Sequence, residues 1–332
     1  MVRGPIMAQR AWVQGLTDLL LEAEATGFRV FEVGGTVDVA RAGLVRVVLH
    51  RTGPLPTNLD AFDIALTGVA DAPAPWVRVE DVDAEAARLE AAFAAQPIAA
   101  SVAAQIFRVT AMLDFDSALL VESLAYSTLL ASCGFRAWRA EHPVPRVRHD
   151  EGPPVLIERE AGRLAVTLNH PNARNAMTAA MRDALCEALE FAVTDPEAAP
   201  VVLSGKGASF STGGDLGEFG SAQDAGAAHL IRTLRSAVRL LHGIADRSTA
   251  VLHGPCIGSG LEIPLASGRV EARPGTRFRL PEVSMGLIPG AGGTVTLPRR
   301  IGRHRACWMA IGGSEIDLTT ALDWGLVDAV RG

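Results

Sequence analysis

Residues 254–262 read Gly254-Pro255-Cys256-Ile257-Gly258-Ser259-Gly260-Leu261-Glu262 and join a predicted strand to a predicted helix through a glycine-rich turn. Such a turn presents bare backbone N–H groups to a ligand, and the N-terminus of the helix adds partial positive charge. A single turn of this kind is more often a tight connection and nothing else. Its meaning therefore depends on what accompanies it in the chain.

Two further glycine-rich patches accompany it, at residues 210–216 (Phe-Ser-Thr-Gly-Gly-Asp-Leu) and 289–294 (Pro-Gly-Ala-Gly-Gly-Thr). None of the three fits a nucleotide-binding motif, because the third patch lacks the last glycine of GxGxxG and the run around Lys206 is too short for a P-loop. The patches suit an oxyanion hole, in which two backbone donors bind a carbonyl oxygen that becomes negative in the transition state.

Two glutamates stand beside these patches. Glu262 lies on the first turn of the helix that follows Gly260, and Glu282 follows Pro281. Their neighbours are largely apolar, and a carboxylate is expensive to bury among such residues. Paired carboxylates can act as general acid and base. From spacing alone, separate capping or surface roles remain equally open.

The bulk composition narrows the class of protein. The chain has 332 residues, of which 48% are hydrophobic and 20% charged, with a net charge of −6. These values predict a folded protein of one or two domains and disfavour a nucleic-acid partner. Four separated cysteines without a CxxC pair disfavour a disulfide framework and a zinc site. No signal pattern or bilayer-length apolar run is present, so we expect a cytoplasmic protein without a membrane partner.

Hydrophobic periodicity predicts two domains. An N-terminal mixed α+β domain at residues 1–145 has a helix at 12–25, four strands and then helices at 83–95, 98–113 and 117–139. A proline-rich linker follows at 146–154. Residues 155–332 alternate strands with helices, including one long helix at 224–243, which indicates an α/β domain.

Five ordered motifs in this second part carry a resemblance to the enoyl-CoA hydratase/isomerase (crotonase) superfamily. The motifs lie at residues 166–177, 207–216, 254–265, 278–302 and 321–327. The resemblance covers slightly more than half of the chain and implies an α/β fold with a crotonase-type ββα superhelix core. It also implies an acyl-CoA thioester as substrate.

The resemblance further implies roles for individual residues. Glu262 and Glu282 occupy the two catalytic carboxylate positions, and Gly214 and Ser259 occupy the positions whose backbone N–H groups form the oxyanion hole. The remaining positions are implied to bind CoA or substrate: Arg174, Thr212, Gly213, Asp215, Leu216 and Gly290. The family pattern implies no cofactor other than the CoA of the substrate, no metal ion, and a homo-oligomer, either a trimer or a hexamer.

The reaction favoured by two glutamates is hydration of a 2-enoyl-CoA, with Glu282 as the proton donor to Cα and Glu262 activating the water. A Δ3-Δ2 isomerase is the nearest alternative, and hydrolase, lyase or dioxygenase chemistry of the same superfamily stays open. A non-catalytic acyl-CoA-binding or scaffold subunit is a further alternative. Cys256 stands in a GxCxG pattern typical of a nucleophile elbow, although no histidine is placed as its base.

One departure from the family concerns the end of the sequence. Members of the family usually continue into C-terminal helices that cover the acyl site and help to build the trimer, whereas this sequence ends at Gly332. We expect the N-terminal helical run, residues 83–139, to cover the acyl site instead.

Overall fold

The computed structural model describes residues 27–33, 45–142, 151–222 and 224–332. The helix predicted at 12–25 and the first half of the predicted linker lie outside these residues.

The N-terminal part begins with a parallel four-stranded sheet in the order β1-β2-β3-β4. All six residues of its second strand are buried. A parallel sheet is covered on both faces, which suits a continuous apolar strand such as this one. The strands are β1 Phe28–Glu32, β2 Val45–His50, β3 Ile64–Thr67 and β4 Val77–Arg78.

Four helices follow the sheet: α1 Val82–Ala95, α2 Pro97–Thr110, α3 Phe115–Leu130 and α4 Cys133–Glu141. Asp114 caps α3 by accepting from the backbone N–H of Ser117. The single helix predicted at 117–139 is wrong, because it is divided between α3 and α4. Ser132 starts the second helix by accepting a hydrogen bond from the Phe135 N–H at 3.2 Å.

The second part is built on a six-stranded sheet in the order β13-β10-β8-β7-β6-β5. Only the β5–β6 pair is antiparallel, joined by the predicted turn at Ala161 and Gly162, both with positive φ. The strands are β5 Val155–Glu160, β6 Arg163–Leu168, β7 Val201–Gly205, β8 Ser248–Leu252, β10 Arg269–Ala272 and β13 Ala329–Val330. A smaller sheet has the order β12-β11-β9, with β9 Pro255–Ile257, β11 Arg277–Arg279 and β12 Ile316–Asp317.

The helices of this part are α5 Ala179–Thr194, α6 Ala225–Leu234, α7 Ala237–Gly243, α8 Ser259–Glu262, α9 Gly293–Ile301, α10 Arg303–Gly312 and α11 Leu318–Trp324. Short 3₁₀ turns occur at Pro171–Ala173, Ala245–Arg247, Pro264–Ala266 and Glu282–Met285. The long helix predicted at 224–243 is also wrong, since Ser236 caps a new helix through the Arg239 N–H. The alternation of strands and helices confirms the predicted α/β class.

Helix α10 joins the two parts of the chain. Arg303 donates to the Phe62 carbonyl at 2.7 Å, and Arg305 donates to the Trp76 carbonyl at 3.1 Å. Buried side chains from both parts belong to one continuous hydrophobic core, for example Leu89 and Met309. The two parts therefore pack together, and the division into domains at residues 146–154 stays a prediction.

No single helix in the described ranges has the length and apolarity to cross a membrane. Two pairs of consecutive helices, each bent at the break, reach that length and apolarity when the two helices are taken together, by length and composition only. They are Val82–Ala95 with Pro97–Thr110 and Phe115–Leu130 with Cys133–Glu141.

A buried ion pair fixes helix α2 to the sheet and gives a test of the packing. Both oxygens of Asp63 accept from the guanidinium of Arg108, and Oδ2 also accepts from the Arg46 N–H at 2.9 Å. The Asp63 side chain is 1% exposed. Asp63→Asn removes the carboxylate that faces Arg108, and we expect a loss of about 3 kcal/mol in the free energy of unfolding.

Chemical denaturation measures this loss. Asp60→Asn is the matched control, because the Asp60 side chain is 97% exposed and lies 4.0 Å from Arg303, so we expect little change there. Equal stability of the two variants would contradict the role given to the Asp63–Arg108 pair.

Candidate active site

A cavity of about 480 Å³ lies between helix α3 and the second part of the chain. It brings together most of the residues that the sequence singled out. Those that line it are Glu262, Glu282, Gly214, Ser259, Asp215 and Gly290.

The two glycine-rich segments beside the cavity lie in direct contact. The Ile257 N–H donates to the Ser211 carbonyl at 3.1 Å. A Cβ on Gly260 would lie 2.3 Å from the Ser211 oxygen, and one on Gly213 would lie 2.7 Å from the Ile257 oxygen. Only glycine allows backbones to approach this closely. The patches at 210–216 and 254–262 therefore form one structural unit.

This unit exposes two backbone donors to the cavity. Among the described residues, neither the N–H of Gly214 nor that of Ser259 donates a hydrogen bond. The N–H groups of their neighbours do have partners. The Asp215 N–H donates to the Met177 carbonyl at 3.2 Å, and the Gly258 N–H donates to the Arg279 carbonyl at 3.0 Å. An N–H group without a partner at a cavity wall is available to a ligand's carbonyl oxygen.

Glu262 stands at the wall of the cavity and is 2% exposed. Its Oε2 accepts from the N–H groups of Ala291 and Gly293, each at 2.8 Å. Burial raises the pKa of Glu262 well above its ordinary value, and the charge of Glu282 adds to this rise. The two N–H donors act in the opposite direction, because they stabilise the charged form.

Glu282 is also buried, at 7% exposure. Among the described residues, its Oε2 has no hydrogen-bond partner, and its Oε1 lies against the backbone of Gly258. Burial raises the pKa of Glu282 to about 8. At neutral pH this carboxyl group is therefore mainly protonated.

A third carboxylate, Glu122 of helix α3, completes the cluster and was missed by the sequence analysis. Its Oε1 accepts from the Gly292 N–H at 2.7 Å, and its Oε2 accepts from the N–H and the hydroxyl of Thr294 at 2.8 and 2.7 Å. Burial raises the pKa of Glu122 to about 7, although these hydrogen-bond donors act to lower it. The one signal in the sequence was a glutamate directly after the apolar run at residues 118–121.

Helices α3 and α6 close one side of the cavity. The Tyr126 ring packs on Gly290, where a Cβ would lie 2.1 Å from it. The Arg232 guanidinium lies 4.7 Å from the centroid of the Tyr126 ring and donates to the carbonyl of Ser123 and the hydroxyl of Ser127. Burial lowers the pKa of Arg232 and raises that of Tyr126. The structure thus agrees with the expectation that the N-terminal helical run helps to cover this site.

Four of the predicted binding residues do not line the cavity: Arg174, Thr212, Gly213 and Leu216. Arg174 is exposed, with φ 53°, and its carbonyl accepts from the Thr212 N–H at 3.1 Å. The structure therefore places Arg174 beside the loop at 212–216, outside the cavity itself. The role of these four residues in binding CoA stays a prediction.

The alternative thiol nucleophile is not supported. Cys256 is fully buried and does not line the cavity, and burial raises the pKa of its thiol. A thiol in such surroundings is inert rather than reactive. Across the part of the chain that the structure describes, no group of three or more His, Cys, Asp or Glu side chains could hold a metal ion.

Comparisons with known proteins identify the family to which the second part of the chain is similar. The family whose sequence profile matches the chain is described as Enoyl-CoA hydratase/isomerase, and the match covers residues 158–332. The chain is 35% identical to 2,3-dehydroadipyl-CoA hydratase of Escherichia coli (strain K12), over 53% of this chain and 68% of that protein. It is 32% identical to an enoyl-CoA isomerase/hydratase of Mycosarcoma maydis, over 50% and 64% of the two chains.

Among solved structures, an enoyl-CoA hydratase from Thermoplasma volcanium GSS1 is similar with a TM-score of 0.51 and 28% identity. The similarity covers 55% of this chain and 73% of that chain. It lends support to the crotonase-type core.

The contact between Gly258 and Glu282 gives a test of how the site is built. Gly258 has φ 53° and ψ −127°, and a Cβ there would lie 2.3 Å from Oε1 of Glu282. We expect Gly258→Ala to lower the free energy of unfolding by about 3 kcal/mol and to displace the Glu282 carboxyl group. Denaturation and a crystal structure of the variant measure the two effects.

Gly275→Ala is the matched control, because Gly275 also has a positive φ of 82° but no atom within 4 Å of its would-be Cβ. It carries the backbone strain without the clash. Equal losses in the two variants, with Glu282 unmoved, would show that the close contact does not position the carboxyl group.

Proposed function

Because this chain belongs to the enoyl-CoA hydratase/isomerase family, we propose that it adds water across the α,β double bond of a 2-enoyl-CoA thioester. One observation carries the proposal: two buried carboxyl groups and two unpaired backbone N–H groups line the same cavity. Hydration needs these elements, an acid, a base and a site for negative charge.

The backbone N–H groups of Gly214 and Ser259 would hold the thioester carbonyl. Addition of water at Cβ moves negative charge onto this oxygen before Cα is protonated. Donors that the packed backbone already holds at the cavity wall would need no rearrangement when the charge develops. One such donor is worth about 3 kcal/mol of the activation barrier.

Glu282 is assigned as the acid. With its pKa raised to about 8, it keeps its proton at neutral pH, and the partner-free Oε2 can present that proton to Cα. A general acid works best with a pKa close to the operating pH.

Glu262 is assigned as the base. Burial raises the pKa of Glu262 as well as that of Glu282, and three neighbouring carboxyl groups cannot all be charged at neutral pH. The role of base is assigned to Glu262 because N–H donors stabilise the charged form of a carboxyl group. Glu262 accepts two N–H donors on Oε2, whereas Oε2 of Glu282 accepts none. Glu262 would take a proton from the water molecule as the water oxygen bonds to Cβ. Proton exchange with solvent would then restore the starting protonation states of Glu262 and Glu282.

The second candidate is a Δ3-Δ2 isomerase. One carboxylate suffices for a 1,3-proton shift, and Oε2 of Glu282 is a single partner-free oxygen in the cavity. The relative from Mycosarcoma maydis carries both activities in its name. Incubation with a panel of enoyl-CoA thioesters separates the candidates by product mass, since hydration adds one water and isomerisation leaves the mass unchanged.

Substitution of either glutamate tests the assigned roles. We expect Glu262→Gln and Glu282→Gln each to lower kcat for hydration by about 100-fold or more, because each removes a proton-transfer group. Steady-state kinetics measures the loss. Glu158→Gln, at an exposed position of strand β5, is the control and should retain full activity; undiminished turnover in either site variant would refute the mechanism.

The pH dependence tests the acid separately. A raised pKa means that Glu282 is protonated below about pH 8 and loses its proton above it, so kcat should fall as the pH rises through about 8. This descending limb of the pH-rate profile near pH 8 should be absent from the residual activity of Glu282→Gln. A wild-type rate that stays constant up to pH 10 would contradict the assignment of Glu282 as the acid.

A further inference from the structure

We propose that Glu122, contributed by the N-terminal part of the chain, is a positioning residue for Glu262 and acts through the N-terminus of helix α9, which both carboxylates hold. The inference rests on the proposed function for the identity of the base. It adds a residue that lies outside the part of the chain matched by the family.

The backbone N–H groups of four consecutive residues, 291–294, donate alternately to the two carboxylates. The N–H groups of Ala291 and Gly293 donate to Glu262, and those of Gly292 and Thr294 donate to Glu122. All four distances are 2.7 or 2.8 Å. Hydrogen bonds to an ionised acceptor at a helix N-terminus are among the stronger ones in proteins. The two carboxylates therefore hold one short segment from two sides.

The segment is rich in glycine, and besides the two carboxylates it contacts the Tyr126 ring at Gly290 and the Thr110 hydroxyl, which donates to the Thr294 carbonyl at 2.7 Å. It runs through Gly290, Gly292 and Gly293, and Gly292 has a φ of 100°. A glycine segment has wide conformational freedom, so the hydrogen bonds decide which way its N–H groups point. Loss of Glu122 frees two of these groups and loosens the two that aim Glu262 at the cavity.

Glu122 also acts on the catalytic pair by its charge. Its negative charge raises the pKa of both Glu262 and Glu282. This effect helps Glu282 to keep the proton that it would donate. The contact is long-range, since Glu122 and Gly292 are 170 residues apart in the chain.

Other charged and titratable groups lie on helix α3, on the elements packed against it and in the cavity. Helix α6 presents Arg232, whose charge lowers the pKa of Glu122, and His229, whose Nδ1 lies 2.9 Å from the Ser123 hydroxyl. The remaining groups are Tyr126 on helix α3 itself, Arg299 on helix α9, Glu262 and Glu282 in the cavity, and Arg279 beside Glu282. None of these changes in the test below.

The test is Glu122→Gln in the full chain. Glutamine keeps the shape but loses the charge, and its amide nitrogen cannot accept from an N–H group. We expect kcat for hydration to fall about tenfold with little change in KM, since Glu122 acts through Glu262 and not on the substrate. We also expect the limb near pH 8 to move to lower pH by about one unit, because a neighbouring negative charge is lost.

Thr110→Val is the matched control. It removes the hydroxyl that donates to the Thr294 carbonyl at 2.7 Å and leaves the charge of Glu122 and its donors in place. A merely structural role predicts a loss of stability in both variants without a shift of the pH-rate limb in either. An unshifted limb in Glu122→Gln, or an equal shift in Thr110→Val, would overturn the proposal.

A titration without substrate separates this inference from the proposed function. In protein labelled with ¹³C at the glutamate carboxyl carbon, NMR follows the protonation of Glu262 and Glu282 directly. A shift to lower pKa in Glu122→Gln supports the positioning role even if the wild-type protein hydrates no enoyl-CoA. Unchanged pKa values overturn it even if hydration is observed.

Discussion

The arrangement depends on the burial of negative charge at the N-terminus of one helix. A buried carboxylate costs several kcal/mol unless it is hydrogen-bonded, and helix α9 offers N–H groups that have no partner within the helix. Glu262 and Glu122 each accept two N–H groups from residues 291–294, at and just before this terminus. One carboxylate comes from the second part of the chain and the other from helix α3, so the helix terminus fixes both at the cavity.

Close backbone contacts supply the other half of the site. Gly213 and Gly260 let the two glycine-rich segments touch, and the contact leaves the N–H groups of Gly214 and Ser259 without partners at the cavity wall. The geometry of the cavity wall therefore comes from main-chain packing as much as from side chains. Helix α3 covers this arrangement, with the Tyr126 ring packed on the third glycine-rich patch.

Local sequence patterns were enough to predict much of this structure. The long-range contacts could not be predicted from such patterns. Glu262, Glu282, Gly214 and Ser259 belong to motifs of fixed spacing, and the structure gathers them at one cavity. The helix breaks were missed because a capping serine, such as Ser132, lies within a run of helical periodicity, which was read as continuous although serine is a preferred N-cap residue. Glu122 was missed because its partners lie 170 and 172 residues away in the sequence, and its position after an apolar run does not indicate which groups it contacts.

The most direct test of the account is a crystal structure of the Glu282→Gln variant with a bound 2-enoyl-CoA. The account predicts the thioester oxygen within about 3 Å of the N–H groups of both Gly214 and Ser259. It also predicts a water between Glu262 and Cβ, with the side chain of residue 282 facing Cα. A thioester oxygen bound away from these two N–H groups, or a double bond beyond the reach of both side chains, would contradict it.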